Sequence, residues 1–157
     1  MKYFRLIEDI PTRSPLGFGL GGARWNYSGV PIIYLSNFSS IAINEMISIK
    51  GSTVAKSNWK ICTLEIADPI PELKLSDIPK DWNIRPASKS TKDIGTLWAN
   101  EMKSVCLKVP SARLNLTAYS DEHNLLVNPL HPDFRKVVNY LNSEDFNFQL
   151  NDVIISK

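Results

Sequence analysis

Four prolines, Pro69, Pro71, Pro79 and Pro86, fall between positions 68 and 86, and they set the strongest limit on what this chain can fold into. Proline fixes φ, lacks a backbone N–H and pushes the residue before it out of the helical region. Neither a helix nor a central strand can run through such a stretch, so the middle of the chain is a long irregular connection. The segments around it are short. Residues 3–7, 32–35, 59–66 (WKICTLEI), 105–109 and 125–127 read as strands. A helix is predicted over 37–49, with Ser36 or Asn37 as its N-cap and Gly51 closing it. A second helix is predicted over 93–102, with Asp93 near its start. A third runs from Pro132 to about position 141, with Phe134, Val137, Val138 and Leu141 as its apolar face. Residues 146–150 (FNFQL) alternate like a terminal strand. Short strands, few helices and long connections point to an α+β fold rather than regular βαβ winding.

A length of 157 residues fits one domain spanning 1–157, with 43% apolar residues to build its core. A net charge of +2 gives no basis for nucleic-acid or membrane attraction. No apolar run approaches the roughly 20 residues that cross a bilayer, and no signal peptide is evident at the N-terminus. Cys62 and Cys106 sit far apart in strand-like runs and read as two buried free thiols. His123 and His131 lack metal-ligand spacing. A cytoplasmic, metal-free protein is the expectation.

Gly17, Gly19 and Gly22 satisfy G-x-G-x-x-G, but a dinucleotide fold needs a strand just before the glycines and a helix just after. Pro11 and Pro15 precede them, and residues 24–31 show no helical periodicity. The glycines read instead as a loop leading to Arg24, with either a close backbone approach to a ligand or a plain surface turn as its purpose.

Arg24 offers a planar, permanently charged fork suited to phosphate or carboxylate, flanked by Trp25 and Asn26. Glu45 shares a helical face with Phe38, Ile41, Ala42 and Ile49, and the opposite faces are apolar too, so most of this helix is expected to be buried. A carboxylate there is costly unless paired or hydrogen-bonded. It either pairs with an arginine such as Arg24 in a purely structural role or lines a cavity and does chemistry. Tyr34 either stacks on a ring or fills the core. Ser111 follows Pro110 at a strand end, and no His–acid pair is placed to make it a hydrolase nucleophile. Asn128, held extended before Pro129, either points into a cleft or caps the next helix.

Four blocks in order resemble the RES domain, the toxin of Xre–RES toxin–antitoxin systems. They are Gly21-Gly22-Ala23-Arg24-Trp25-Asn26 with residues 31–36, Ile41-Ala42-Ile43-Asn44-Glu45, Val109-Pro110-Ser111-Ala112, and residues 124–134. Gly95 and Trp98 match a Gly-x-x-Trp pair frequent in that family. Ala23 is an insertion relative to the usual Gly-Gly-Arg-Trp, and Asn44 and Met46 replace more usual apolar residues.

The resemblance implies a fold like that of ADP-ribosyltransferases, with small twisted sheets flanked by helices, and an enzyme that consumes NAD+ as substrate with no cofactor. Arg24 would grip the phosphates, Tyr34 would sit against nicotinamide or its ribose, and Glu45 would lie beside the scissile N-glycosidic bond. Asn26, Ser36, Ser111 and Asn128 would complete the NAD+ contacts. The implied acceptor is water or phosphate, with transfer of ADP-ribose to a cellular protein as the alternative. The implied partners are a cognate Xre-type helix-turn-helix antitoxin and a second toxin copy, with no direct nucleic-acid or membrane binding. A non-catalytic binding module remains the competing reading.

Overall fold

Alternation of apolar residues builds the sheet of this protein, described by a computed structural model over residues 1–151. In β1 (Lys2–Glu8), Tyr3 and Ile7 join one core cluster while Leu6 joins another. The same division holds in β2 (Ile33–Ser36) and β5 (Asn124–Val127), where Ile33, Leu35, Leu125 and Val127 share the cluster of Tyr3 and Leu126 does not. With β3 (Trp59–Ile66), β4 (Cys106–Val109) and β6 (Val138–Phe146), they form one six-stranded sheet in the order β4-β5-β2-β1-β3-β6. Every neighbouring pair is antiparallel. The α+β expectation holds, with the strands joined in a single sheet. Residues 152–157 of the expected 1–157 domain lie outside the described residues.

Two helices divide the second face of the sheet. Helix α1 (Ser39–Lys50) sets Ile43, Met46 and Ile47 against Leu6, Val54 and Trp59. Helix α2 (Lys89–Asn100) sets Trp98 and Ala99 against Trp25, Leu107, Val109 and Leu126. Between these clusters the sheet is left uncovered over β1 and β2, and that gap is the cleft described below. Gly51 closes α1 at φ 59°, as expected.

Several expectations need correction. Neither Ser36 nor Asn37 caps α1. Phe38 occupies the N-cap without a side-chain bond, because Ser36 and Asn37 bond instead to Asn124 and to the backbone of Asp121 and His123. Only Ile41 of α1 is fully buried, since one side of the helix walls an open cleft. Helix α2 begins at Lys89, where the Ser88 hydroxyl accepts the Thr91 N–H at 3.3 Å, rather than near Asp93.

The largest departure is at the C-terminal side. The helix expected from Pro132 to position 141 is a single turn, α3 (Phe134–Val137), and Val138 opens β6. The edge of β3 presents a full row of backbone groups, and pairing from Trp59↔Phe146 to Ile66↔Val138 satisfies it. Val138, Asn139, Tyr140 and Asn142 are weak helix formers, so local preference opposes this little. The strand expected over 146–150 is therefore already ending at Phe146. Phe148 instead packs edge-on against Trp59, with ring centroids 5.9 Å apart.

Cys62 and Cys106 are buried free thiols, and burial pushes the Cys106 thiol up to about 12. His123 is also buried, 1% exposed. Its Nδ1 lies 2.6 Å from the Ser120 carbonyl, so that nitrogen carries the proton and Nε2 accepts from the Tyr3 hydroxyl at 2.8 Å. Burial holds its pKa below the ordinary 6.5, so the unfolded chain takes up this proton first as pH falls. Stability is thus fully present above about 6.5 and declines below it. Melting curves on either side of that pH are expected to show this decline. His123→Gln should flatten it, and an unchanged slope would show that another group is responsible.

Candidate functional site

The cleft is built from the Arg24 loop inward. Helix α2 turns a face of small and hydroxyl side chains to this loop. Thr91 Oγ1 donates to the Arg24 carbonyl at 2.7 Å, and Thr96 Oγ1 accepts the Tyr27 N–H at 3.0 Å. Between them Gly95 lies so close that a Cβ there would sit 1.8 Å from the Trp25 carbonyl oxygen. The loop is locked from the sheet side by Tyr34, whose hydroxyl donates to Asn26 Oδ1 at 2.6 Å and accepts the Trp25 N–H at 3.1 Å. Asn26 Nδ2 donates to the Val30 carbonyl at 2.8 Å. No helix follows the glycines; an isolated Ala23↔Asn26 bridge does.

The proline-rich segment now has a role. Arg24 Nη1 donates to the carbonyls of Trp82 and Ile84, both at 2.9 Å, so this irregular strap fixes one edge of the guanidinium. Among the described residues the other edge, Nε and Nη2, carries no hydrogen bond. Burial and then the nearby Arg113 charge hold the Arg24 pKa below its ordinary value, and Glu45 pulls it back up. An arginine so perturbed still carries its charge.

Glu45 is held by two donors from distant parts of the chain. Ser111 Oγ donates to Oε1 at 2.7 Å, and Asn124 Nδ2 donates to the same oxygen at 2.8 Å. Asn124 is oriented in turn by Ser36, whose hydroxyl donates to its Oδ1 at 2.7 Å. Each such buried polar group would cost about 1–3 kcal/mol if left unpaired, so the chain Ser36–Asn124–Glu45–Ser111 holds as a unit. Oε2 has no such donor, and its nearest cation is Arg113 Nε at 3.9 Å. That Nε is buried and bonds to nothing, while Arg113 Nη1 donates to Ser48 Oγ at 2.6 Å. Arg85 also bonds to Ser48, through its carbonyl at 3.0 Å and its hydroxyl.

Of these groups, Arg24, Tyr34, Ser36, Glu45 and Asn124 line a cavity of about 300 Å³. Its floor is the exposed stretch of β1 and β2 with Phe4, Leu6, Tyr34 and Ser36, and its wall is the Ala42, Glu45, Met46 and Ile49 face of α1. A ring-sized apolar chamber with one carboxylate and a cationic rim suits a ligand that is part aromatic and part anionic.

The structure thus gathers Arg24, Tyr34, Ser36 and Glu45 around one cavity, with Ser111 bonded to Glu45 from behind. It does not bring Asn26 or Asn128 there. Both amide ends of Asn26 are spent on the loop and Tyr34. Asn128, 2% exposed, donates to the Ala99 carbonyl and accepts the Leu130 N–H, tying β5 to α2. Arg24 and Glu45 form no direct ion pair among the described residues, so the purely structural pairing has no basis here. Asn124 was the residue to choose from the 124–134 block, as a polar side chain opening an otherwise apolar strand. Arg113, two residues beyond Ser111, and Arg85 carry no comparable local signal.

Comparisons with known proteins identify the family and the fold. A Toxin Res of Yersinia enterocolitica is 36% identical over 129 residues, covering 81% of this chain and 81% of that protein. A Prs ADP-ribosylating toxin of Sphingobium is 29% identical, covering 87% of each. Among solved structures, the Mycobacterium tuberculosis MbcT–MbcA toxin–antitoxin complex contains a similar fold, with a TM-score of 0.71 at 15% identity over 93% of this chain and 84% of that one. No helix among the described residues is long and apolar enough to cross a membrane. The RES domain model matches residues 3–151, which include the whole of the Arg24–Glu45–Ser111 arrangement, and the chain belongs to the RES domain family.

Proposed function

We propose that this chain is the toxin of a toxin–antitoxin pair, acting in the cytoplasm by cleaving the nicotinamide–ribose bond of NAD+. The observation that carries the reading is the state of Glu45. One carboxylate oxygen is immobilised by Ser111 and Asn124, and the other, with only the distant Arg113 Nε at 3.9 Å beside it, accepts no hydrogen bond among the described residues, in a chamber that Arg24 also lines. In NAD+ the C1′–N bond breaks with its electron pair going to the pyridinium nitrogen, so nicotinamide leaves neutral and needs no acid. The demand is to stabilise the positive charge growing on the ribose, which a fixed carboxylate does without reorganising. Tyr34 walls the chamber where the ring would sit, and Arg24 presents its free edge to the diphosphate. Anchoring that remote part orients the reacting ribose. Water, releasing a proton to solvent, or phosphate, through one of its oxygens, then adds to the cationic C1′.

The ADP-ribosylating name of the Sphingobium relative favours a second reading, transfer of ADP-ribose to a protein side chain. The partner in either case is an antitoxin of the Xre helix-turn-helix type, and a second toxin copy fits the same assembly. Purified, antitoxin-free protein is expected to release nicotinamide from NAD+. Absence of release, with or without phosphate, overturns the first reading, and absence of label on lysate proteins as well overturns the second. Products formed with and without phosphate, and label transferred from NAD+ to lysate proteins, separate water, phosphate and protein as acceptors.

A further inference from the structure

A second cavity, of about 380 Å³, adjoins the first and shares Ala23, Arg24 and Ile49 with it. Its character is different. The charged side chains that line it are Arg24, Arg85 and Lys92, and no carboxylate is among them. None of the three takes part in an ion pair among the described residues. Arg85 is positioned on one side by its bonds to Ser48 of α1. On the other side Lys92 stands over the Tyr27 ring at 5.9 Å.

Pro86 and Ala87 complete this wall and lead into the Ser88-capped start of α2. Of helix α2 itself only Lys92 lines this space, and the first turn is closed by the Ser88 hydroxyl. Three side-chain cations and no acid form a concave surface matched to more than one negative charge.

We propose that this second cavity is a diphosphate subsite. It seats the nucleoside-diphosphate half of the dinucleotide, with Arg85 and Lys92 joining Arg24 as the residues that set specificity for that half. The proposal rests on the NAD+ reading above and adds to it a place and two residues. Arg24 lines both cavities, so a dinucleotide crossing it leaves its nicotinamide riboside end beside Glu45 and its diphosphate among the three cations.

Calorimetric titration of wild type, Arg85→Gln and Lys92→Gln with ADP-ribose tests it. Arg85 is exposed and Lys92 half-buried, so neither substitution disturbs the core. Each is expected to weaken ADP-ribose about tenfold, the scale of one hydrogen bond to a charged group. Wild-type affinity is expected to fall with added salt. Nicotinamide riboside, which lacks the diphosphate, should bind all three proteins alike. In turnover, KM for NAD+ should rise about tenfold while kcat stays within about twofold.

Failure of wild type to bind ADP-ribose, or equal affinity in all three proteins, overturns the subsite. Nicotinamide release by wild type with KM unchanged in both variants overturns it too, and leaves the proposed reaction standing. ADP-ribose binding that weakens in the variants, with no nicotinamide released by any of them, supports the subsite and removes the proposed reaction.

Discussion

Glu45→Gln is expected to lower nicotinamide release by about 10²- to 10³-fold while leaving the protein folded. The separation of the two effects follows from how the carboxylate is held. Both structural hydrogen bonds go to Oε1, from Ser111 and Asn124, and the amide oxygen of glutamine accepts them equally well. The glutamine nitrogen would then take the place of Oε2, whose nearest cation is 3.9 Å away. That contact is long and part-exposed, so its loss costs little stability. What disappears is the negative charge that the reacting ribose requires. Melting curves beside a nicotinamide assay and a growth assay read the two quantities separately. A variant that melts far below wild type yet keeps its turnover would make Glu45 a structural residue and end the enzymatic reading.

Gly95→Ala should have the largest effect on stability, about 3 kcal/mol or more, equivalent to roughly 10 °C in melting temperature. The added Cβ would meet the Trp25 carbonyl oxygen at 1.8 Å, and backbone carbon and oxygen cannot turn aside as a flexible side chain does. Either α2 moves outward or the Arg24 loop moves inward. Both displace Arg24, because Thr91 ties its carbonyl to the same helix. Activity is therefore expected to fall along with stability, in contrast to Glu45→Gln. Leu97→Ala, on the exposed side of α2, is the control and should leave both nearly unchanged. A Gly95→Ala protein that melts like wild type would mean that the helix and loop are not in the contact described.

How far the sequence spoke depended on distance along the chain. Glu45 stood out because an acid interrupts an apolar helical pattern, and that is a local fact. Its fixing by Ser111 and Asn124 joins residues 66 and 79 positions away, which no local pattern carries. The strap between positions 68 and 86 was legible as irregular, from its prolines alone. That two of its carbonyls would grip Arg24 was not, because carbonyls are common to every residue. Residues 132–141 fit a helix by periodicity, but the open edge of β3 outweighed it. Asn128 drew attention through the proline after it, while Asn124, the residue that reaches the carboxylate, showed only a polar side chain at the head of Leu125-Leu126-Val127.

The clamp on Glu45 also carries a consequence for synthesis. The carboxylate lies on α1, early in the chain, while the two donors that fix Oε1 come from the loop after β4 and from β5. A ribosome making this protein thus produces Glu45 long before the groups that aim it. Until Asn124 has emerged and β5 has inserted between β4 and β2, the growing chain has an acid but no arranged centre. Whatever chemistry Glu45 performs therefore waits until the strand that carries Asn124 has been made and has joined the sheet.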